Sequence, residues 1–573
     1  MGLSIGLDTA VKALRAHQLA VDVASHNIAN AQSPGYSRQR VLLRPVGLDG
    51  SDHFSRDNLL GRAGFGVDAK DVNRIRDSFM DFQTRQSLSN QSQFSSFSAP
   101  IGNAEVVFND PSDDGLSSLL SKFWASWHDV VNEPESSPAR TELVHATTTF
   151  TTRIQAAHEE LNQQRLNLNQ TVAGIGEQIN AKASELAQLN LQIQQVELNG
   201  DMANDLRDRR DLILDDLSKL GNISYSEDDS GSMAVSLGAH ELVFGTSARH
   251  VNTVPDPSDP GMVKLQFAID NDDVNVSSGQ LRGVLDARDV AFPDLIGKLD
   301  TLASGLINSV NSLHQAGFGL DNVTGLSFFT GTDASNIAIN SVLAGSPQSI
   351  ATSTGANQPG NPANGLAIAN LQQATNMLAG FSASSLVVNE SLSAGNTAAG
   401  IKLGATLQPG TYHMVAVGPN VELRYGSATG PVVGTATLAA IAPPGGTIAF
   451  MNGTNTVASI SVTTGAGYSA AQQLTDLTTA GNDTMQVETS ASTYYGNIVS
   501  VLGADVNRAK GLTDSAGLLV DHLDGLRQSI QGVNIDEEVT NLNASQHAYN
   551  AAAKVISTID EMLDTLINRT GVG

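Results

Sequence analysis

The chain has 573 residues, no cysteine, and 32 Lys and Arg against 58 Asp and Glu, for a net charge of −26. That length suits several domains of roughly 150 residues each, and without thiols their stability rests on packing, not on disulfides. Nucleic acid and anionic membranes are poor partners for so acidic a chain, which has no Lys/Arg cluster with interleaved aromatics. The opening residues MGLSIGLDTA lack a basic stretch followed by an apolar one, so a cleaved secretory signal is not expected, and no later segment is long and apolar enough to span a membrane.

The first element is an amphipathic helix. Leu7, Val11, Leu14, Gln18, Val21, Ser25 and Ile28 fall at alternating steps of four and three, a narrow seam that suits a coiled coil. Asn30, Ser33, Pro34 and Gly35 stop it, and the chain leaves extended through Tyr36 to Leu43. Residues 73–98 read as a polar helix with Ile75, Phe79 and Phe82 on one face. After Asp110-Pro111-Ser112, the residues Leu116, Leu119, Leu120, Phe123, Trp124, Trp127 and Val131 recur at helical spacing, as a core stripe does. Ile154 to Val196 holds one heptad-like register for roughly 60 Å at ~1.5 Å per residue, and Gly200 separates it from a shorter helix over 204–219.

Beyond Gly221 the period becomes alternating. Met233–Leu237 and Glu241–Phe244 around Gly238-Ala239 predict a hairpin, with another strand over Met262–Ile269. Asp270-Asn271-Asp272-Asp273 hints at calcium, but Val274 stands where an EF-hand loop needs a ligand and no glycine follows, so it reads as a solvated acidic turn. Helical spacing returns over Leu281–Leu313. Residues 334–500 are rich in Ala, Gly, Ser and Thr, and strand-like runs flank Gly418-Pro419-Asn420 and Asn452-Gly453. The last helix is again a seam of Ile535, Val539, Leu542, Ser545, Tyr549, Ala552, Ile556, Ile559, Leu563 and Leu566. Asp536, Glu537 and Glu538 lie in its first turn and Arg569 at its end, as the helix dipole favours. Two narrow seams at opposite ends can pair with each other, or each can pack on its nearest domain.

Catalytic patterns are missing. His158-Glu159-Glu160-Leu161-Asn162 lacks the second histidine of a zinc-protease helix, and no Gly-x-Ser-x-Gly elbow or phosphate-binding loop occurs. No catalytic, cofactor-binding or metal residue is expected, and no enzymatic activity.

The run Ser25-His26-Asn27-Ile28-Ala29-Asn30 with Ser33-Pro34-Gly35-Tyr36-Ser37-Arg38-Gln39 closely resembles the N-terminal signature of the flagellar axial family of rod, hook and hook-associated proteins. Gly532-Val533-Asn534-Ile535-Asp536-Glu537-Glu538, Gln546-His547-Ala548-Tyr549 and Ala553-Lys554-Val555-Ile556 resemble its C-terminal signature. Interior blocks resemble the hook-associated members: Phe123-Trp124 with Trp127, Asn132-Glu133-Pro134 with Arg140, Ala203-Asn204-Asp205-Leu206-Arg207-Asp208-Arg209-Arg210-Asp211-Leu212, and Gly279-Gln280-Leu281-Arg282-Gly283-Val284-Leu285-Asp286.

The resemblance implies a secreted structural subunit that joins hook to filament at their junction by axial self-assembly through its terminal helices. It implies export unfolded through the flagellar channel. The partners implied are the hook protein, the next hook-associated protein, further copies in a ring, and an export chaperone at the C-terminal helix, with no cofactor, nucleic acid or membrane. The rival reading is a secreted adhesin or host-binding protein, suggested by the poorly charged β-rich stretch.

The expected fold is multidomain α+β, with terminal coiled-coil helices, a long-helix bundle and inserted all-β domains. Its expected segments are 1–62 pairing with 530–573; a bundle of 63–232 completed by 281–333 and 495–529; a small β segment, 233–280; and an all-β insertion, 334–494. The residues expected to carry axial assembly are Leu7, Val11, Leu14, Val21, Ile28, Asn30, Pro34, Gly35, Tyr36, Tyr549, Ile556, Ile559, Leu563 and Leu566.

Overall fold

The computed structural model describes residues 2–45, 66–198, 201–228, 230–374, 397–403, 410–425, 429–439, 445–452, 455–463, 469–471, 473, 484–487 and 490–565. Leu566, Arg569, Gly200 and Gly453 therefore lie outside the described residues. Among the described residues the main helices are α1 (Gly2–Ala29), α2 (Ser78–Phe108), α3 (Leu116–Asn132), α4 (Ser137–Glu197), α5 (Asn204–Leu220), α6 (Gln280–Leu285), α7 (Phe292–Ala316), α8 (Ser341–Gly345), α9 (Ala363–Ala369), α10 (Ala491–Gln531) and α11 (Ile535–Asp564). The chain forms two compact units, one of Met1–Ser98, Leu168–Asp286 and Ala509–Gly573, the other of Ala99–Asn167 and Ala287–Arg508. The expected bundle segment 63–232 is thus shared between them.

In the first unit α1 lies against α11. Ile559 reaches Gly6 while Asn27 meets Glu538, so the two helices run antiparallel. Strands β1 (Gln39–Pro45) and β2 (Val67–Arg74) form an antiparallel hairpin against α1, with an irregularity at Leu42/Leu43. A four-stranded sheet follows from β3 (Ile223–Glu227), β4 (Met233–Leu237), β5 (His240–Phe244) and β6 (Ser247–Ala248). In β4, Met233, Val235 and Leu237 are buried and alternate with half-buried Ala234 and Ser236, the period of a strand with one covered face. β7 (Val251–Pro255) and β8 (Val263–Phe267) make a separate antiparallel pair. Within α4, Val172, Ile175, Ile179, Leu186, Leu189 and Ile193 are buried. At Gly176 α4 approaches β8 closely, and a Cβ there would stand 2.9 Å from a Leu265 methyl, which would have to shift.

The second unit is built around aromatic rings. Phe123, Trp124 and Trp127 of α3 are fully buried. Phe150 of α4 stacks on Phe123 at 5.8 Å, and Phe328 lies 5.1 Å from Trp127. Short strands β9 (Phe329–Thr330) and β10 (Ala338–Ile339) pair beside this core. A seven-stranded antiparallel sheet follows, ordered β11-β16-β15-β14-β13-β12-β17. Its strands are β11 (Thr397–Leu403), β12 (Gly410–Val417), β13 (Asn420–Tyr425), β14 (Val432–Thr437), β15 (Gly445–Asn452), β16 (Asn455–Thr463) and β17 (Thr484–Val487).

Three expectations change. The helix expected over 73–98 begins at Ser78, after β2, and its Phe79 and Phe82 are 63% and 51% exposed. Its buried face carries Asp81, Thr84, Arg85, Ser87 and Ser89, of which Asp81 and Arg85 find the ionic partners described below. The helix expected over 281–313 is interrupted by a π-helical stretch, Asp286–Ala291, between α6 and α7. The all-β reading of 334–494 fails for its first forty residues. There α8 and α9 bury Leu343, Ile368 and Ala369, and α9 packs on α3 and α7, so this Asn- and Gly-rich stretch belongs to the helical core.

A candidate assembly site where the chain ends meet

The turn after α1 is built by its own side chains. Asn30 donates both its backbone and its side-chain amide to the His26 carbonyl, each at 3.1 Å, and Ser33 Oγ donates to Asn30 Oδ1 at 3.2 Å. Gly35 has φ +75°, and a Cβ there would come within 2.4 Å of Leu212 on α5, so both backbone and space require glycine. Pro34 is exposed at the tip. At the other end, the Asn534 side chain accepts from the Asp536 and Glu537 amides, capping α11 and placing three carboxylates in its first turn.

Asn27 is the centre of the site and is fully buried. Its amide donates to the Gln39 carbonyl at 2.8 Å and to Glu538 Oε2 at 3.0 Å, while its oxygen accepts from the Gln39 amide at 2.9 Å and from the Tyr36 hydroxyl at 2.8 Å. Both donors and both acceptor positions are used, so one side chain joins α1, the exit turn, β1 and α11. His26 Nδ1 lies 3.0 Å from the Tyr36 hydroxyl. Burial, with Asp205, Asp208 and Glu538 nearby, pushes the Tyr36 phenol well above its ordinary range, which keeps its proton available to Asn27. Arg38 completes the clamp, with Nε 2.7 Å from Glu538 Oε1 and Nη1 2.8 Å from Glu537 Oε2. Its backbone amide donates to the Gln531 carbonyl at the end of α10.

One layer away, α5 presents Asp208, Asp211 and Asp215, three and four residues apart and hence on one face. The Ser37 amide and hydroxyl both donate to Asp208, at 3.0 and 2.7 Å. Arg74 bridges Asp208 and Asp211, Arg76 reaches Asp211 at 2.9 Å and Asp81 at 2.8 Å, and Arg85 spans Asp211 and Asp215. Arg527 of α10 closes the array on Asp215 at 2.8 Å. Asp81, Asp208, Asp211 and Asp215 thus face Arg74, Arg76, Arg85 and Arg527, a balanced set that offsets the cost of burying each charge. Asp211 shows the balance: burial alone would raise its pKa, yet Arg76, Arg74 and Arg85 hold it at about 2. The same array explains why the polar face of α2 is the buried one.

The apolar seam residues lie differently from the clamp. On α11, Ile559 is buried and Tyr549, Ile556 and Leu563 are half-buried, alternating with exposed neighbours, so this seam faces α1. On α1, Leu7, Val11, Leu14, Val21 and Ile28 are only half-buried and Gln18 and Ser25 are exposed. The fully buried positions are Ala10, Ala16, Ala24 and Asn27. Small residues let the helices approach, and the hairpin covers a second flank, which widens the buried face beyond one seam. Asn30, Gly35 and Tyr36 join the clamp; Leu566 lies outside the described residues. The residues overlooked in favour of the seam are Asn27, Arg38, Gln39, Asp208, Asp211 and Glu538. Their signal was present, because all fall within the quoted signatures and the α5 block.

Comparison with known proteins divides the chain along the same lines. Residues 7–36 match the family described as Flagella basal body rod protein, and residues 528–569 match Flagellar basal body rod FlgEFG protein C-terminal. Residues 101–329 match Flagellar hook-associated protein FlgK helical domain. Flagellar hook-associated protein 1 of Bacillus subtilis is 28% identical over 99% of this chain and 99% of its own length. Over nearly its whole length the chain is thus similar to flagellar hook-associated protein 1. The hook-associated protein 1 of Escherichia coli is 26% identical over 98% of this chain and 99% of that protein. The solved flagellar hook junction protein FlgK from Burkholderia pseudomallei aligns with 78% of this chain and 100% of that one, at 17% identity and a TM-score of 0.48. The chain is a structural component of the bacterial flagellum, and these relatives give the adhesin reading no support.

Proposed function

We propose that this chain joins hook to filament, with the antiparallel α1/α11 pair as its axial element and the Asn27 clamp fixing that pair to the rest of the first unit. The observation that carries the reading is Asn27 itself. Its four hydrogen bonds tie the two signatures, which lie at opposite ends of the chain, at one buried point. Around it, the α5 carboxylates hold the exit turn, β2, α2 and α10, so the terminal pair is held at a set angle within the unit. On α11 the side chains of Ile535, Val539, Val555 and Met562 are exposed, apolar groups on two flanks of the helix that suit contact with another chain. The hook protein, the next hook-associated protein and further copies in a ring meet the subunit through these helices, in heterologous contacts that build an axial array. An export chaperone covers the exposed apolar groups of α11 before secretion to the flagellar tip.

The test is an Asn27→Ala variant expressed in a strain that lacks the gene. The expected result is a stable, exported product with few or no filaments attached to hooks. Normal filaments and swimming contradict the reading.

A further inference from the structure

The turn after β8 carries Asp270 and Asp272, whose sequence spacing alone fails the calcium-loop pattern. The fold adds a ligand from another segment, His240, the first residue of β5. Its Nδ1 lies 3.3 Å from Asp270 Oδ2 and its Nε2 lies 3.8 Å from Asp272 Oδ2. One ligand atom from each residue falls within 4.8 Å of the other two. The two distances are to opposite ring nitrogens, of which an ion takes one, and metal bonds of ~2.0–2.2 Å place neighbouring ligand atoms roughly 3–3.5 Å apart, so one of the exposed carboxylates must swing to the nitrogen that the other faces to close a coordination shell.

The ring and one carboxylate are already oriented. The imidazole stacks on Phe267 at 4.7 Å with planes 28° apart. Asp270 Oδ1 accepts from the Asp272 amide at 3.2 Å, and it is the other oxygen, Oδ2, that stands beside the ring. Asp273 next door is occupied by Lys264 and Gln266, which leaves the two remaining carboxylates to the imidazole. A nitrogen ligand beside two carboxylates favours a borderline ion over calcium or magnesium, which prefer all-oxygen shells.

We propose that His240, Asp270 and Asp272 bind one divalent transition-metal ion of the zinc class, with water completing its shell. The bound ion joins the β4–β5 turn to the turn after β8, linking two sheets that share no ladder.

The test titrates Zn2+ into the full chain after treatment with EDTA, by calorimetry and by thermal melting. One equivalent is expected to bind, with a rise in melting temperature that EDTA reverses. His240→Ala and Asp270→Asn each weaken binding at least tenfold, His250→Ala leaves it unchanged, and Ca2+ binds at least tenfold more weakly than Zn2+. Melting in EDTA checks the fold of each variant, and Asp272→Asn replaces any that melts early. The absence of stoichiometric zinc, zinc binding unchanged in both His240→Ala and Asp270→Asn, or calcium binding as tight as zinc overturns the proposal.

Discussion

The two units solve burial in opposite ways. In the second unit Phe123, Trp124, Trp127, Phe150 and Phe328 fill one apolar core, and its buried Arg140 donates to the carbonyls of Pro134, Pro347 and Ile350 and to Thr352 Oγ1. In the first unit the ends of the chain meet at Asn27, and guanidinium–carboxylate pairs do much of the joining. An apolar core tolerates many arrangements of similar volume, whereas an array such as Arg74, Arg76 and Arg85 around Asp211 accepts one geometry. The first unit thus fixes the orientation of its terminal helices by charge geometry, where the second unit relies on packed volume.

The largest expected effect breaks the apolar side of the comparison. Trp127→Ala removes a fully buried ring and should cost about 4 kcal/mol. Urea unfolding followed by the fluorescence of the remaining tryptophan, Trp124, reads the second unit. Next comes the polar side: Asp211→Ala leaves Arg74, Arg76 and Arg85 facing one another and should destabilise the first unit by about 3 kcal/mol. Amide exchange over residues 204–220 checks that loss.

Acid separates the units without mutation. Burial holds the His314 imidazole at about 4, well below its ordinary 6.5, so the unfolded chain binds its proton first. Its contribution to the second unit is complete above pH 6.5 and is lost as the pH falls towards 4, in all about 3 kcal/mol. Asp211, at about 2 against an ordinary 3.8, contributes about 2 kcal/mol that is present above pH 4 and lost only between there and pH 2. Urea midpoints measured from pH 7 to 4.5 should therefore fall by tryptophan fluorescence while exchange protection in α5 holds. The smallest effect sharpens the clamp: a double-mutant cycle between Arg38→Ala and Glu538→Ala should give a coupling of about 1 kcal/mol, since Arg38 is partly exposed.

Much of this fold was legible because turn chemistry and period are local signals. Asn30 to Gly35 marked the end of α1, and the alternation in Met233–Leu237 gave β4. Where reading failed, the deciding partner lay far away in the chain. Phe79 and Phe82 looked like the packing face of α2, yet Arg85 needed Asp211 and Asp215, 126 and 130 residues on. Asn27 stood in the quoted N-terminal signature without a role of its own, because nothing nearby in the chain reveals that Glu538 will meet it. Residues 334–374 shared the composition of the later strands, but their few apolar residues were claimed by α3 and α7.

The central claim is that one buried amide couples both ends of the chain to the first unit. Hydrogen exchange on purified full-length protein, wild type against Asn27→Ala, tests it most directly. The account predicts that protection falls together in residues 2–29 and 535–564 while residues 116–132 of the second unit are unchanged. Loss confined to residues 36–39, with α1 and α11 as protected as before, would contradict it.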